Sequence, residues 1–124
     1  DALWRDRRGN NPDEVHDHLI CSHHFSPGYL DEDTVDLVKA GPDLPERDVS
    51  GEWVGLMKLS ATGSEIVRAE LAKLREAGLL YRANMPDLLN RLVEAGHRVR
   101  VQYITGHWLD VDDSFDLAKA RNFL

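Results

Sequence analysis

The chain has 124 residues, 42% of them hydrophobic and 30% charged, with a net charge of -7 and one cysteine, Cys21. That length supports one domain with a real core, and a single cysteine excludes an internal disulfide, which suits a reducing cytoplasmic setting. Acidity without a basic stripe argues against a nucleic-acid backbone as principal partner, and the absence of a long apolar run argues against a membrane span or a secretory leader.

Asp1 to Glu14 is polar and ends in Asn11-Pro12, which reads as loop. Trp4 is followed by Arg5, Arg7 and Arg8, the densest positive charge in the sequence. This segment is either a solvated start or a grip for an anion. Val15 to Phe25 (VHDHLICSHHF) predicts a strand, with Ser26-Pro27-Gly28 as its turn. Four of the six histidines and Cys21 fall in it, which raises the question of zinc. In an extended chain His16, His18, Ile20, Ser22 and His24 share one face, while Cys21 and His23 occupy the other. No single face collects four ligands, and there is no C-x-x-C pair. A half-exposed strand is the simpler reading, with His23 or His24 able to meet an anion near pH 6.

Asp33 to Ala40 predicts a second strand, and Gly41 to Asp48 a surface loop. Gly51 to Leu59 (GEWVGLMKL) is apolar on both faces and predicts a central strand covered on both sides, with Glu52 and Lys58 at its two ends. Thr62-Gly63-Ser64-Glu65 matches a capping box opening a helix that Gly78 stops. Asn84 and Pro86 open a second helix, carrying Leu88, Leu89, Leu92 and Val93 and ending at Gly96. His97 to Ile104 alternates Val99, Val101 and Tyr103 with Arg98, Arg100 and Gln102, so it belongs near an edge or along a cleft. Strands followed by helices in this order predict an α/β fold with some parallel pairing and right-handed crossovers.

Gly106-His107-Trp108-Leu109-Asp110-Val111-Asp112-Asp113 leads into a last helix, Ser114 to Phe123. In an extended chain Asp110 and Asp112 project together, and two carboxylates so spaced suit one hard cation such as Mg2+ held against phosphate oxygens. The alternative is an N-cap: Asp113 or Ser114 can cap, and Asp116 suits the first turn.

Three segments, GEWVGLMKLS (51–60), DLLNRLVEAGHRVRV (87–101) and GHWLDVDDSFDLAKA (106–120), resemble the nucleotidyltransferase fold of cytidylyltransferases. The likeness is to those associated with phosphoenolpyruvate mutase in phosphonate biosynthesis, the fosfomycin-type group among them. It implies a Rossmann-like three-layer sheet with mixed strands, of which this chain would be a partial or reduced form. The implied reaction transfers CMP from CTP to a small phosphonate such as 2-hydroxyethylphosphonate, with Mg2+ as cofactor and pyrophosphate leaving. A fused mutase domain and a homodimer are the protein partners it suggests.

The family's late acidic pair falls on Asp110 and Asp112. A second metal-binding stretch of the D-x-D-W-R kind resembles Asp1-Ala2-Leu3-Trp4-Arg5, imperfectly, with Leu3 in place of an acid. Lys58 resembles the lysine closing the G-E-x-x-G-x-x-K strand, and Glu52, Asp87 and Asn90 are weaker carry-overs. Arg5, Arg8, His23, Tyr103 and His107 are added for charge and position as contacts for phosphonate oxygens. The family's opening glycine-rich loop, which holds the CTP phosphates, has no counterpart here; the nine glycines are scattered. The chain is therefore expected to be the acceptor and metal side of a larger domain, or a pared-down version. A non-catalytic ligand-binding module on the same fold is the competing expectation.

Overall fold

The computed structural model of the chain describes residues 1–7, 15–28, 34–109, 111 and 114–122. Its elements are α1 (Trp4–Arg7), β1 (His18–Cys21), β2 (Val35–Gly41), β3 (Gly51–Glu52), α2 (Ala61–Glu76), α3 (Met85–Glu94), β4 (Arg100–Val101) and α4 (Ser114–Ala120). The fold is mixed α/β, as the alternation of short and 3.6-residue hydrophobic periods implies.

The four strands form one sheet in the order β3-β1-β2-β4. Each of the three pairings among the described residues is antiparallel. The parallel pairing expected from element order is therefore not found. The physical reason lies in the topology: α2 and α3 connect β3 to β4, and these two strands occupy opposite edges rather than neighbouring positions. A helical connection forces parallel pairing only between strands that end side by side.

The central strand expected over Gly51 to Leu59 is a second departure. Only Gly51 and Glu52 pair in the sheet, at an edge. Gly55 adopts φ +78, a left-handed conformation that ends the extended run. The Trp53 indole then donates to the Leu56 carbonyl at 3.0 Å, and Leu56 is left 81% exposed.

β1 and β2 supply the sheet's contribution to the core. Leu19, Cys21, Leu37 and Ala40 pack with Leu89 of α3, and Val35, Trp53, Val93, Val99, Val101 and Tyr103 border this cluster. Leu37 and Ala40 are three apart, which strict alternation would place on opposite faces. The register explains it: Ile20 pairs with Lys39 but Cys21 with Leu37, so Val38 is the extra residue of a bulge. Beyond α3, Leu88 and Leu92 pack against Val67 of α2. The opposite face of β1 is covered too. Trp4, 2% exposed, lies on His18 with ring centroids 4.7 Å apart. The half-exposed histidine strand expected from sequence is thus buried at His18, because α1 supplies an aromatic lid where a loop was expected.

Both long helices end and begin on chemistry visible in the sequence. Asn84 accepts from the Asp87 amide and Asp87 accepts from the Asn84 amide, a complete capping box with Pro86 in the first turn. For α2 the cap is Ser60 rather than Thr62, since the Ser60 hydroxyl accepts from the Gly63 amide at 3.0 Å. Among the described residues, no helix is long and apolar enough to cross a membrane.

Candidate functional site

The feature that gathers most of the candidate residues is a groove of about 1,100 Å³ between the Trp53–Ser60 segment and the His97–Ile104 segment. Its floor comes from β1, β2, Leu89 and Leu92, and its end wall from Asp1. Gly51 is required at that end: a Cβ there would lie 2.9 Å from the Asp1 carbonyl oxygen and 3.5 Å from the Tyr103 ring. Any side chain would push the chain start away from the sheet.

Asp1 is 8% exposed, and its surroundings are built from sequence neighbours and from residues at the far end of the chain. Its Oδ1 accepts from the Leu3 amide at 3.0 Å and from the Gly106 amide at 3.1 Å. Its Oδ2 accepts from the Trp108 indole at 3.0 Å. On the backbone side, the Asp1 ammonium donates to the Glu52 carbonyl and the Glu52 amide donates back to the Asp1 carbonyl at 3.1 Å. The Ala2 amide completes the anchorage by donating to Ile104 at 2.8 Å. Gly106 at φ +79 and His107 at φ +62 are successive left-handed residues, the geometry of a tight turn whose amide is aimed at an acceptor. Asp1 is therefore fixed against the turn that immediately precedes the acidic pair. Asp110 and Asp112 themselves, and Arg8, lie outside the described residues.

The remaining candidates divide by what their side chains touch. Lys58, Glu52 and Tyr103 line the groove together with Asp1. Lys58 is exposed, in the irregular segment that follows the left-handed Gly55. Glu52 meets His16 Nδ1 at 2.7 Å, with both side chains largely buried. Tyr103 donates to the His23 carbonyl at 2.6 Å, and burial pushes its phenol far above the ordinary value. His23 and His107 are exposed and outside the groove lining. Arg5 stacks on Trp4 at 4.6 Å and donates to the Glu46 carbonyl at 2.9 Å, so it braces α1 against the Glu46 loop. Asp87 is occupied by the capping box. Asn90 is occupied by Ala40, donating to its carbonyl and accepting from its amide, both at 2.8 Å. Here the side-chain amide stands in for the neighbouring strand that β2 lacks beyond the short β4.

Two features were not singled out from sequence. Arg98 and Arg100 line the same groove as Lys58, beside the acidic Asp1 and Glu52. Arg98 also pairs with Asp36 at 2.8 Å. Their alternation with Val99 and Val101 was visible, but what their face looked onto depended on where the Trp53–Ser60 segment lay. The second is the group of His16, Asp17 and Glu52. Desolvation, with Glu52 adding to it, raises the Asp17 carboxyl above its ordinary value, and His18 opposes. His16 and His18 stack at 5.9 Å, confirming the shared face inferred for them. Among the described residues, however, no three His, Cys, Asp or Glu side chains gather as metal ligands. Cys21 is buried beneath Tyr103 and Ser50, and burial pushes its thiol up, away from the reactive thiolate.

Comparison with protein families, curated proteins and solved structures gives no match.

Proposed function

We propose that this chain is the acceptor and metal side of a nucleotidyltransferase fold, Rossmann-like and three-layered when complete, and that it serves Mg2+-dependent transfer of CMP from CTP to a small phosphonate such as 2-hydroxyethylphosphonate. The observation that carries the reading is the anchorage of Asp1 to the Gly106–Trp108 turn. Two segments that resemble separate parts of one metal site are thereby joined across the length of the chain. Support also comes from Lys58, Arg98 and Arg100 around the adjoining groove, which offer positive charge to phosphate oxygens.

The carboxylates of Asp1, Asp110 and Asp112 are hard oxygen donors of the kind Mg2+ takes. When bound, the ion neutralises charge on the phosphate oxygens. The reaction forms a bond from an acceptor phosphonate oxygen to the α-phosphorus of CTP and breaks the bond to pyrophosphate, which carries away the electron pair. The chain's own contribution is positioning and charge: Lys58 faces the incoming acceptor and the two arginines hold anionic oxygens.

The competing reading, a binding module without turnover, draws on the internal commitments of Arg5, Glu52, Asp87 and Asn90, which leave fewer groups for substrate. One assay separates the two. The protein is mixed with CTP, Mg2+ and 2-hydroxyethylphosphonate, and pyrophosphate release is followed beside calorimetric binding. Release that falls at least about 100-fold in Asp110→Asn and in Asp112→Asn, with unchanged circular dichroism, supports the transferase. Binding without release supports the module. Full activity in both variants removes the acidic pair from the chemistry.

A further inference from the structure

Residues 51–59 are apolar on both faces, a composition that is ordinarily covered on both sides. Here the later part is uncovered. Leu56 is 81% exposed, Met57 39% and Leu59 41%, three large apolar side chains within one short segment. That segment is one wall of the groove, whose lining includes the half-buried Trp53, Ile66, Val99 and Val101. Apolar side chains on the wall and apolar lining beside it therefore face the same water, and joining them would remove both from it.

The backbone of this wall is fastened at its two ends. The Trp53 amide donates to the Asp17 carbonyl at 2.8 Å, and Ser60 is the cap of α2. Among the described residues, the backbone groups of 54–59 take part in one hydrogen bond, from the Trp53 indole to the Leu56 carbonyl, and that bond stays within the segment. Gly55 adopts φ +78, and a Cβ there would meet nothing within 4 Å. Torsion rather than room selects glycine, which passes between left-handed and extended backbone at little cost. A permissive residue next to an anchored end is the construction on which short lids turn.

Lys58 explains why the segment stands open. It lies between Met57 and Leu59, is exposed, and has no ion pair among the described residues. Folding its neighbours onto the groove would take its ammonium out of water without a counter-charge, which is strongly unfavourable. An anion in the groove supplies that counter-charge. We infer that residues 54–59 form an anion-gated flap: hinged at Gly55, the segment folds its apolar side chains over the groove when a small phosphonate pairs with Lys58. Closure excludes water from the anion and strengthens its pairing with Lys58. The choice of phosphonate rests on the transfer reading proposed above, whereas the flap and its charge gate do not.

The test follows amide hydrogen exchange across residues 54–59 of the full chain, with 2-hydroxyethylphosphonate and without CTP or Mg2+. The parent should exchange fast alone and about tenfold or more slowly with phosphonate, and trypsin cleavage after Lys58 should slow in parallel. Lys58→Met removes the charge that holds the flap open, so these amides should be protected about tenfold with no ligand at all. Adding Leu56→Ser and Leu59→Ser to Lys58→Met should restore the fast exchange of the parent. All three positions are exposed, so the fold should be kept, as circular dichroism will check. Protection in Lys58→Met without any phosphonate effect on the parent supports the flap and counts against phosphonate as its ligand. Exchange in Lys58→Met as fast as in the parent overturns the flap, whatever phosphonate does. Protection that grows with protein concentration would mean association between copies, and that too overturns it.

Discussion

At the scale of single residues, the side chains that look functional in the sequence are largely tied into structural bonds, and the consequences are measurable. Asn90 satisfies both backbone groups of Ala40, which lie next to a buried part of the core. Asn90→Ala orphans a buried donor and acceptor and should cost about 2 kcal/mol in urea unfolding. Asn90→Asp keeps the acceptor but faces a carbonyl with a carboxylate, so it should be no better. If Asn90 were mainly a ligand contact, both variants would unfold like the parent. Glu70 makes a different case. It is 4% exposed and lies under Lys73 and Arg91, and Lys73 above all holds its carboxyl below the ordinary 4.5. A depressed folded pKa contributes stability that is present above the ordinary value and lost as pH falls through the folded one. Glu70→Gln should therefore flatten the acid limb of the stability curve below about pH 4.5, read by denaturant midpoints across pH. An unchanged acid limb would mean the two cations do not act on it.

Among the elements, α3 and α4 mark the two extremes of burial. α3 buries Leu88 and Leu92 against α2 and Leu89 against the sheet, whereas α4 has no buried residue among those described. Leu92→Ala should then cost about 3 kcal/mol, while Phe115→Ser, at a position 69% exposed, should stay within about 0.5 kcal/mol. A comparable loss from both would place α4 in the core. The same contrast explains what was legible beforehand. α3 was readable because its cap, proline, apolar stripe and closing glycine are all local signals. The separation of Cys21 from the His16 and His18 face, and the edge or cleft character of His97 to Ile104, were readable for the same reason. Gly51 to Leu59 was not, because nothing in its apolar pattern tells whether Gly55 is extended or left-handed; the chain's turn outward is decided by what lies beside it. The antiparallel order was equally hidden, since it depends on which strands meet in space. Of the candidate site, the resemblance singled out Asp1 and Lys58, which the structure places along one groove, but it gave no sign of Arg98 and Arg100 beside them.

For the whole molecule, the decisive long-range feature is that one carboxylate links the first residue to a turn more than a hundred positions away. The contact ties the Gly106–Trp108 turn to β3 through Asp1, which also pairs its backbone with Glu52. Three charge-assisted hydrogen bonds converge on Asp1, from Leu3, Gly106 and Trp108. Bonds to charged groups contribute about 1.5–3 kcal/mol each when shielded, though they do not add when one group makes them all. Asp1→Ala should lower unfolding free energy by about 2–3 kcal/mol and abolish hydrogen-exchange protection at the Gly106 amide. Asp1→Asn is the sharper probe. Its carbonyl oxygen can still accept from Leu3 and Gly106, but its amide nitrogen meets the Trp108 indole donor to donor. Protection at Gly106 should survive in this variant while the Trp108 indole proton becomes exchangeable. If both variants leave the Gly106 amide and the indole as protected as in the parent, the turn is held by other contacts, and Asp1 loses its place as the link between the two ends of the chain.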